Sequence, residues 1–158
     1  MNDLREWTIH HIKQKDAIKK DLISFKEDQG NIYCEYKEGH AVYYCWENIN
    51  LDKIKSIKDQ DIAYFVCFCN EHNFKTLVDH WDLFKTKQGF TFIFLNPSLA
   101  EKWIIKPFIH AKIADPATLK QGLRTMYETC MGKEATVEKP KKPKKMFEED
   151  EESEEDME

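Results

Sequence analysis

Residues 62–69 read Ile62-Ala63-Tyr64-Phe65-Val66-Cys67-Phe68-Cys69, a run without a single charge. A strand with one face in water alternates apolar and polar residues, whereas one covered on both faces is apolar throughout. This stretch is therefore expected at the centre of a sheet. Next comes Asn70-Glu71-His72-Asn73, which reads as a helix start, since an asparagine side chain accepts from orphan amide protons. Phe74, Leu77, Val78, Trp81 and Phe84 then share one helical face. Gly89 is expected to stop the helix, and Phe90-Thr91-Phe92-Ile93-Phe94-Leu95 reads as a second buried strand. Strand, helix and strand with short connections predict a parallel βαβ unit.

Toward the N-terminus the pattern changes. Leu22–Glu27 reads as a strand, and Asp28-Gln29-Gly30-Asn31 supplies turn residues. Ile32, Cys34 and Tyr36 then fall on one strand face and Tyr33, Glu35 and Lys37 on the other. Glu38-Gly39 turns the chain again into the aromatic-rich Ala41–Trp46. Together these three make an antiparallel meander. A first helix, capped by Asn2 or Asp3 with Glu6 at capping-box spacing, precedes it with Leu4, Trp7, Ile12 and Ile18 as its apolar face. Leu51, Ile54 and Ile57 suggest a short covering helix after it.

Toward the C-terminus, Asn96-Pro97-Ser98 is a turn and residues 101–110 look extended. Pro107 cannot donate to a ladder, so this segment is expected at a sheet edge or as a loop. Asp115-Pro116 reads as a cap followed by proline in a first helical turn, with Leu119, Leu123, Met126, Tyr127 and Cys130 on the buried face. Gly122 among them suggests close approach of another element. Past Gly132 nothing apolar recurs, so residues 133–158 are expected to be disordered. The fold class is α+β (or α/β): one domain over residues 1–132, with a mixed sheet built from the meander and the βαβ unit, helices packed on it, and a disordered tail.

Composition narrows the function. The net charge of -5 is not spread evenly. Residues 134–158 carry five lysines and eleven carboxylates of the 24 bases and 29 acids, which leaves 19 bases and 18 acids in residues 1–133. The body is near neutral, the lysines of 139–145 form a Lys/Pro linker, and residues 147–158 hold nine carboxylates. Five cysteines at irregular spacing argue against a disulfide framework and for a reducing, cytoplasmic setting. Met1 leads into polar and charged residues, so no secretory signal is expected, and no run is long enough for a membrane helix.

Several motifs bear on chemistry. Cys67, Cys69 and His72 could offer soft metal ligands, but no second pair is spaced to complete a zinc site, and buried cysteines pack as small hydrophobes. Five scattered glycines exclude the dinucleotide and nucleoside-triphosphate loops. The histidines have no recognisable nucleophile partner, so they read as surface groups. No cofactor is expected. Lysines interleaved with aromatics along 102–112 can hold phosphate and stack bases. The candidate interaction residues are Lys102, Trp103, Lys106, His110 and Lys112, extended by Lys120 and Arg124 one helical turn apart. The acidic run, with Phe147 as an apolar anchor, suits a basic groove, either on a protein partner or among this chain's own lysines. Ser153 is followed by Glu154, Glu155 and Asp156, a context acidophilic kinases prefer. The expectation is a non-enzymatic interaction module, with nucleic acid as a further candidate partner and no membrane.

Two resemblances add to this. The order helix, meander, strand, helix, strand resembles restriction-endonuclease-like nucleases, which hold Mg²⁺ with a carboxylate on one core strand and Glu-x-Lys on the next. Glu35-Tyr36-Lys37 has that form with Asp28 upstream, which implies an alternative Mg²⁺-dependent nuclease site at Asp28, Glu35 and Lys37. The pattern departs from the family at one point: Glu-x-Lys should lie on the strand before the core helix, and residues 62–69 contain no acid. Separately, Lys102-Trp103-Ile104-Ile105-x-Pro107-x-x-His110, Asp115 and Leu119-Lys120-x-Gly122-Leu123-x-x-Met126 resemble the closing half of a small archaeal-type family without assigned function, across residues 62–130. That resemblance implies no activity.

Overall fold

The computed structural model describes residues 3–58 and 61–132. Expectations for the cap at Asn2, the disordered linker and tail, Phe147 and Ser153 lie outside the described residues.

A six-stranded sheet carries the fold, its strands ordered in space as in sequence, β1-β2-β3-β4-β5-β6. After α1 (Asp3–Lys19) come β1 (Leu22–Asp28), β2 (Asn31–Tyr36) and β3 (Gly39–Cys45). Then come α2 (Leu51–Lys55), β4 (Ala63–Phe68), α3 (Glu71–Asp79), α4 (Trp81–Phe84) and β5 (Phe90–Asn96). A 3₁₀ turn at Pro97–Leu99 leads to β6 (Glu101–Ile105), α5 (Pro107–Ile113) and α6 (Leu119–Cys130). β1, β2 and β3 pair antiparallel, as the alternating pattern predicts. β3, β4 and β5 run parallel, and β6 returns antiparallel on the outside.

The charge-free stretch sits where its composition requires. Phe65 and Cys67 of β4 point into a core with Phe74, Leu77, Trp81, Phe84, Leu123 and Tyr127. Val66 points to the other face, where α1 covers the sheet with Leu4 and Ile12. Both sides of the strand are dry, and each large side chain buried there contributes about 1.5–3 kcal/mol. Ile32 and Cys34 of β2 are buried on the α1 side while Tyr33 and Glu35 are exposed, again by strand alternation. Gln29 and Gly30 join β1 to β2 with φ 54° and 84°, the positive values that let a two-residue hairpin follow the sheet twist.

Several local expectations change. The helix expected from Asn70 through Phe84 is interrupted at His80 (φ −114°, ψ 23°), which divides α3 from α4. Its apolar face survives the break, because Phe74, Leu77, Trp81 and Phe84 remain buried. Asn70 caps α3 as expected, its Oδ1 accepting from Asn73 N–H at 2.8 Å. Residues 101–110 are not extended throughout. β6 ends at Ile105, and Pro107 opens α5, where its fixed φ and missing N–H cost nothing. Asp115 caps a turn by accepting from Ala117 N–H at 3.0 Å, and α6 begins only at Leu119. Ile18 is 85 % exposed, since six residues beyond the buried Ile12 it lies about 120° round the helix from the buried face.

Two glycines separate by what surrounds them. Gly89 sits in a turn rather than at a helix end, and a Cβ there would collide with the Asp61 carbonyl. Gly122 is exposed on α6 with open space around it, so no element approaches it. Gly89→Ala should cost about 1–3 kcal/mol through overpacking against backbone. Gly122→Ala should add about 0.5–1 kcal/mol of helix propensity. Thermal melts of the two variants check this pair, and a neutral Gly89→Ala would contradict the close approach.

Candidate functional site

β6 is an edge strand with two unlike faces. Trp103 and Ile105 point into the helix-covered core. Lys102 and Ile104 pair with Leu95 and Ile93, residues of the α1 side, so they point the other way. Lys106 continues that row, since its backbone is still extended (φ −111°, ψ 100°). Lys102, Ile104 and Lys106 therefore form one wall, with the lysines about 13 Å apart along the strand.

α1 supplies the facing wall. Trp7, His11 and Lys15 recur every four residues and so share one helical face over about 12 Å. Trp7 stacks on His11 with ring centroids 4.7 Å apart. Lys15 places its ammonium 5.0 Å from the centre of the Tyr64 ring, whose stacking partner is Tyr43 at 4.2 Å. At one end a cavity of about 310 Å³ is lined by Trp7, Leu95, Asn96, Pro97, Ala100, Glu101 and Lys102. At the other, one of about 420 Å³ is lined by Ile62, Tyr64, Gly89, Thr91, Lys106 and Ile109. Both ends of the groove thus carry an aromatic ring and a lysine above an apolar floor, and Ile104 between them is 41 % exposed.

Its charge is mixed, since Glu101 shares the first cavity with Lys102, and Asp16, Asp21 and Glu38 line a neighbouring cavity with Lys15. Four other bases meet acids: Arg5 pairs with Glu27, Lys75 with Asp79, Lys85 with Asp82, and Arg124 with both Glu71 and Glu128. Lys15, Lys102 and Lys106 form no ion pair among the described residues. His11 responds to this field. Its pKa is lowered to about 4, first by burial and then by Lys15 and Lys102 from the two walls. A neutral imidazole is the state that burial beside two lysines produces.

The remaining candidate residues are scattered. Trp103 is buried against Phe94 and Phe74, not an exposed anchor, because the odd positions of β6 face the core. His110 meets Trp81 edge-on at 5.8 Å, and Lys112 folds over Phe108 at 4.1 Å, both on α5. Lys120 and Arg124 lie on α6, across the sheet from the groove, and Arg124 is held over Phe74 as well as in its ion pairs. The basic segment thus splits between two faces. Trp7, His11 and Lys15 complete one half of it and are not among the residues singled out from sequence.

Asp28, Glu35 and Lys37 are all exposed and do not converge. Asp28 pairs with Asn31 while Glu35 pairs with Ser24, which puts Asp28 about 13 Å along β1 from Glu35. Lys37 lies in the turn after β2. Among the described residues no group of three or more His, Cys, Asp or Glu side chains is gathered as a metal site. Burial pushes the Cys67 thiol well up and the Cys69 thiol to about 12, with Cys130 adding to the second effect, so neither offers a thiolate. No helix among the described residues is long and apolar enough to cross a membrane.

Comparison with protein families, with curated proteins and with solved structures finds no match for the chain.

Proposed function

We propose that the chain is a non-enzymatic binding module whose groove between α1 and β6 takes a single-stranded nucleic acid. The observation that carries this reading is the set of Lys15, Lys102 and Lys106, which form no ion pair among the described residues: Lys102 and Lys106 line the two cavities, and Lys15 lies over the Tyr64 ring. A strand of nucleic acid needs both elements, cations spaced along its phosphates and flat or apolar surfaces for its bases. A near-neutral body does not oppose the reading, because these three lysines are not held in ion pairs among the described residues. The five free thiols suit a reducing, cytoplasmic compartment. The Mg²⁺-dependent alternative has less support, since Asp28 stands far from Glu35 and Lys37.

Fluorescence anisotropy with a labelled oligothymidylate tests the proposal on the full chain. Three lysine–phosphate contacts predict a slope of about −2 for log affinity against log salt, or roughly a 20-fold loss between 50 and 200 mM. Replacing Lys15, Lys102 and Lys106 together by Ala should remove most of that slope. Lys120→Ala, on the opposite face, should leave it in place. An unchanged slope in the triple variant would remove the groove from consideration.

A further inference from the structure

Gly132, the last described residue, lies beside the groove. It packs against Leu99, so closely that a Cβ on it would collide with that side chain. Leu99 belongs to the 3₁₀ turn whose Pro97 lines the upper cavity together with Trp7, Ala100 and Lys102. The segment after Gly132 therefore starts at the groove mouth, within a few residues of Lys102.

The chemistry of that segment matches the groove. Residues 147–158 hold nine carboxylates and no base, with Phe147 at their head. The groove holds three lysines that form no ion pair among the described residues, one acid (Glu101), an aromatic at each end and the exposed Ile104 between. The connecting stretch 133–146 contains two prolines and five lysines in its run 139–145, together with Lys133. At about 3.1 Å per residue it can span up to about 43 Å, and as a flexible coil about 20 Å, against a groove some 13 Å long. Either length allows the acidic run to reach every lysine. Tethering of this kind sets an effective concentration in the millimolar range, so even weak ionic contacts would compete with a ligand in solution.

We infer that residues 147–158 of the same chain occupy the α1–β6 groove when nucleic acid does not, so that the acidic run is a built-in competitor. This rests on the reading of the groove as a polyanion site. Phe147 is the group suited to the apolar cavity at Trp7 and Leu95, with the carboxylates continuing along the lysines. Phosphate on Ser153 would add about -1.5 to -2 charges and strengthen the competition. Groove opening then depends on salt, on competing nucleic acid and on modification of this one segment.

The experiment compares the full chain with a full-length variant in which every acid of residues 148–158 is replaced by its amide. Three measurements are made: oligothymidylate anisotropy, the same with Lys15, Lys102 and Lys106 changed to Ala, and NMR of the amide variant with a synthetic peptide of residues 146–158. The expected result is about tenfold or greater tightening in the amide variant at 50 mM salt. That gain should shrink at high salt and vanish in the triple-Ala background. The peptide should shift the Trp7 indole and His11 ring signals and displace the oligonucleotide. Equal oligonucleotide affinity in both chains would overturn the competitor while leaving the groove reading intact. Peptide shifts at Trp7 and His11 without oligonucleotide binding by either chain would support the competitor and overturn the nucleic-acid reading. Absence of peptide shifts, or equal tightening in the triple-Ala background, would overturn the competitor as a groove ligand.

Discussion

Asn73→Ala should cost about 3–5 kcal/mol and leave little folded protein at 37 °C. Asn73 is fully buried, and its side chain bonds three backbone groups on two segments of chain. Its Oδ1 accepts from Ile49 N–H at 2.9 Å, and its Nδ2 donates to the Glu47 and Phe68 carbonyls, each at 2.8 Å. These bonds tie the loop after β3 to the end of β4, the two central parallel strands. Truncation strands one donor and two acceptors away from water, and each unsatisfied group costs about 1–3 kcal/mol. Domains of this size have only about 5–15 kcal/mol in total. Urea denaturation of Asn73→Ala against wild type measures the difference. Asn70→Ala, which removes the α3 cap alone, should cost about 1 kcal/mol. A similar small loss for Asn73→Ala would show that the three bonds are not needed.

Acid should weaken the fold through His11. Its pKa falls from 6.5 in the unfolded chain to about 4 in the folded one, first because the ring is buried and then because Lys15 and Lys102 repel the imidazolium. On α1, Trp7 covers one side of the ring, and Tyr43 of β3 meets it at 6.4 Å without offering a negative charge. Above pH 6.5 both states hold a neutral ring and the group exerts no penalty. As pH falls from 6.5 toward 4, the unfolded chain takes up the proton and the folded one does not, so stability is lost across that window. The ring is partly exposed, so the loss is discounted to about 1–2 kcal/mol. His11→Gln should lose correspondingly less stability than wild type between pH 7 and pH 4.5 in parallel urea titrations. Identical pH profiles would mean the ring is not held neutral.

The sheet was legible because its strands declare their surroundings. β4 has no charge in a run longer than any one-sided strand would tolerate, and β2 alternates Ile32, Cys34 and Tyr36 with exposed neighbours. The break at His80 was not legible, since Phe74, Leu77, Trp81 and Phe84 keep helical spacing whether or not the axis bends. Pro107 suits a loop, an edge strand and a helix start alike, so only the fold decides among them. The groove was half legible. Lys102 and Lys106 were visible as basic residues near aromatics, but their alternation with Trp103 and Ile105 places the aromatic in the core and the lysines outside. The four-residue repeat of Trp7, His11 and Lys15 was present on α1, yet nothing local says that this helix lies beside β6. That neighbourhood comes from α1 crossing the sheet face next to an uncovered edge. Asn73 was hidden for the opposite reason, because a helix-start asparagine has an ordinary local role that masks a buried one.

The groove as a site for nucleic acid is tested most directly by titrating the His11 ring by NMR, with and without saturating oligothymidylate. Burial is the larger cause of this lowered pKa, and phosphates between Lys15 and Lys102 would offset the part due to those two charges, so the value should rise above about 4 in the complex. Saturation with the oligonucleotide while the His11 titration stays at about 4 would place the nucleic acid elsewhere on the surface and contradict the assignment.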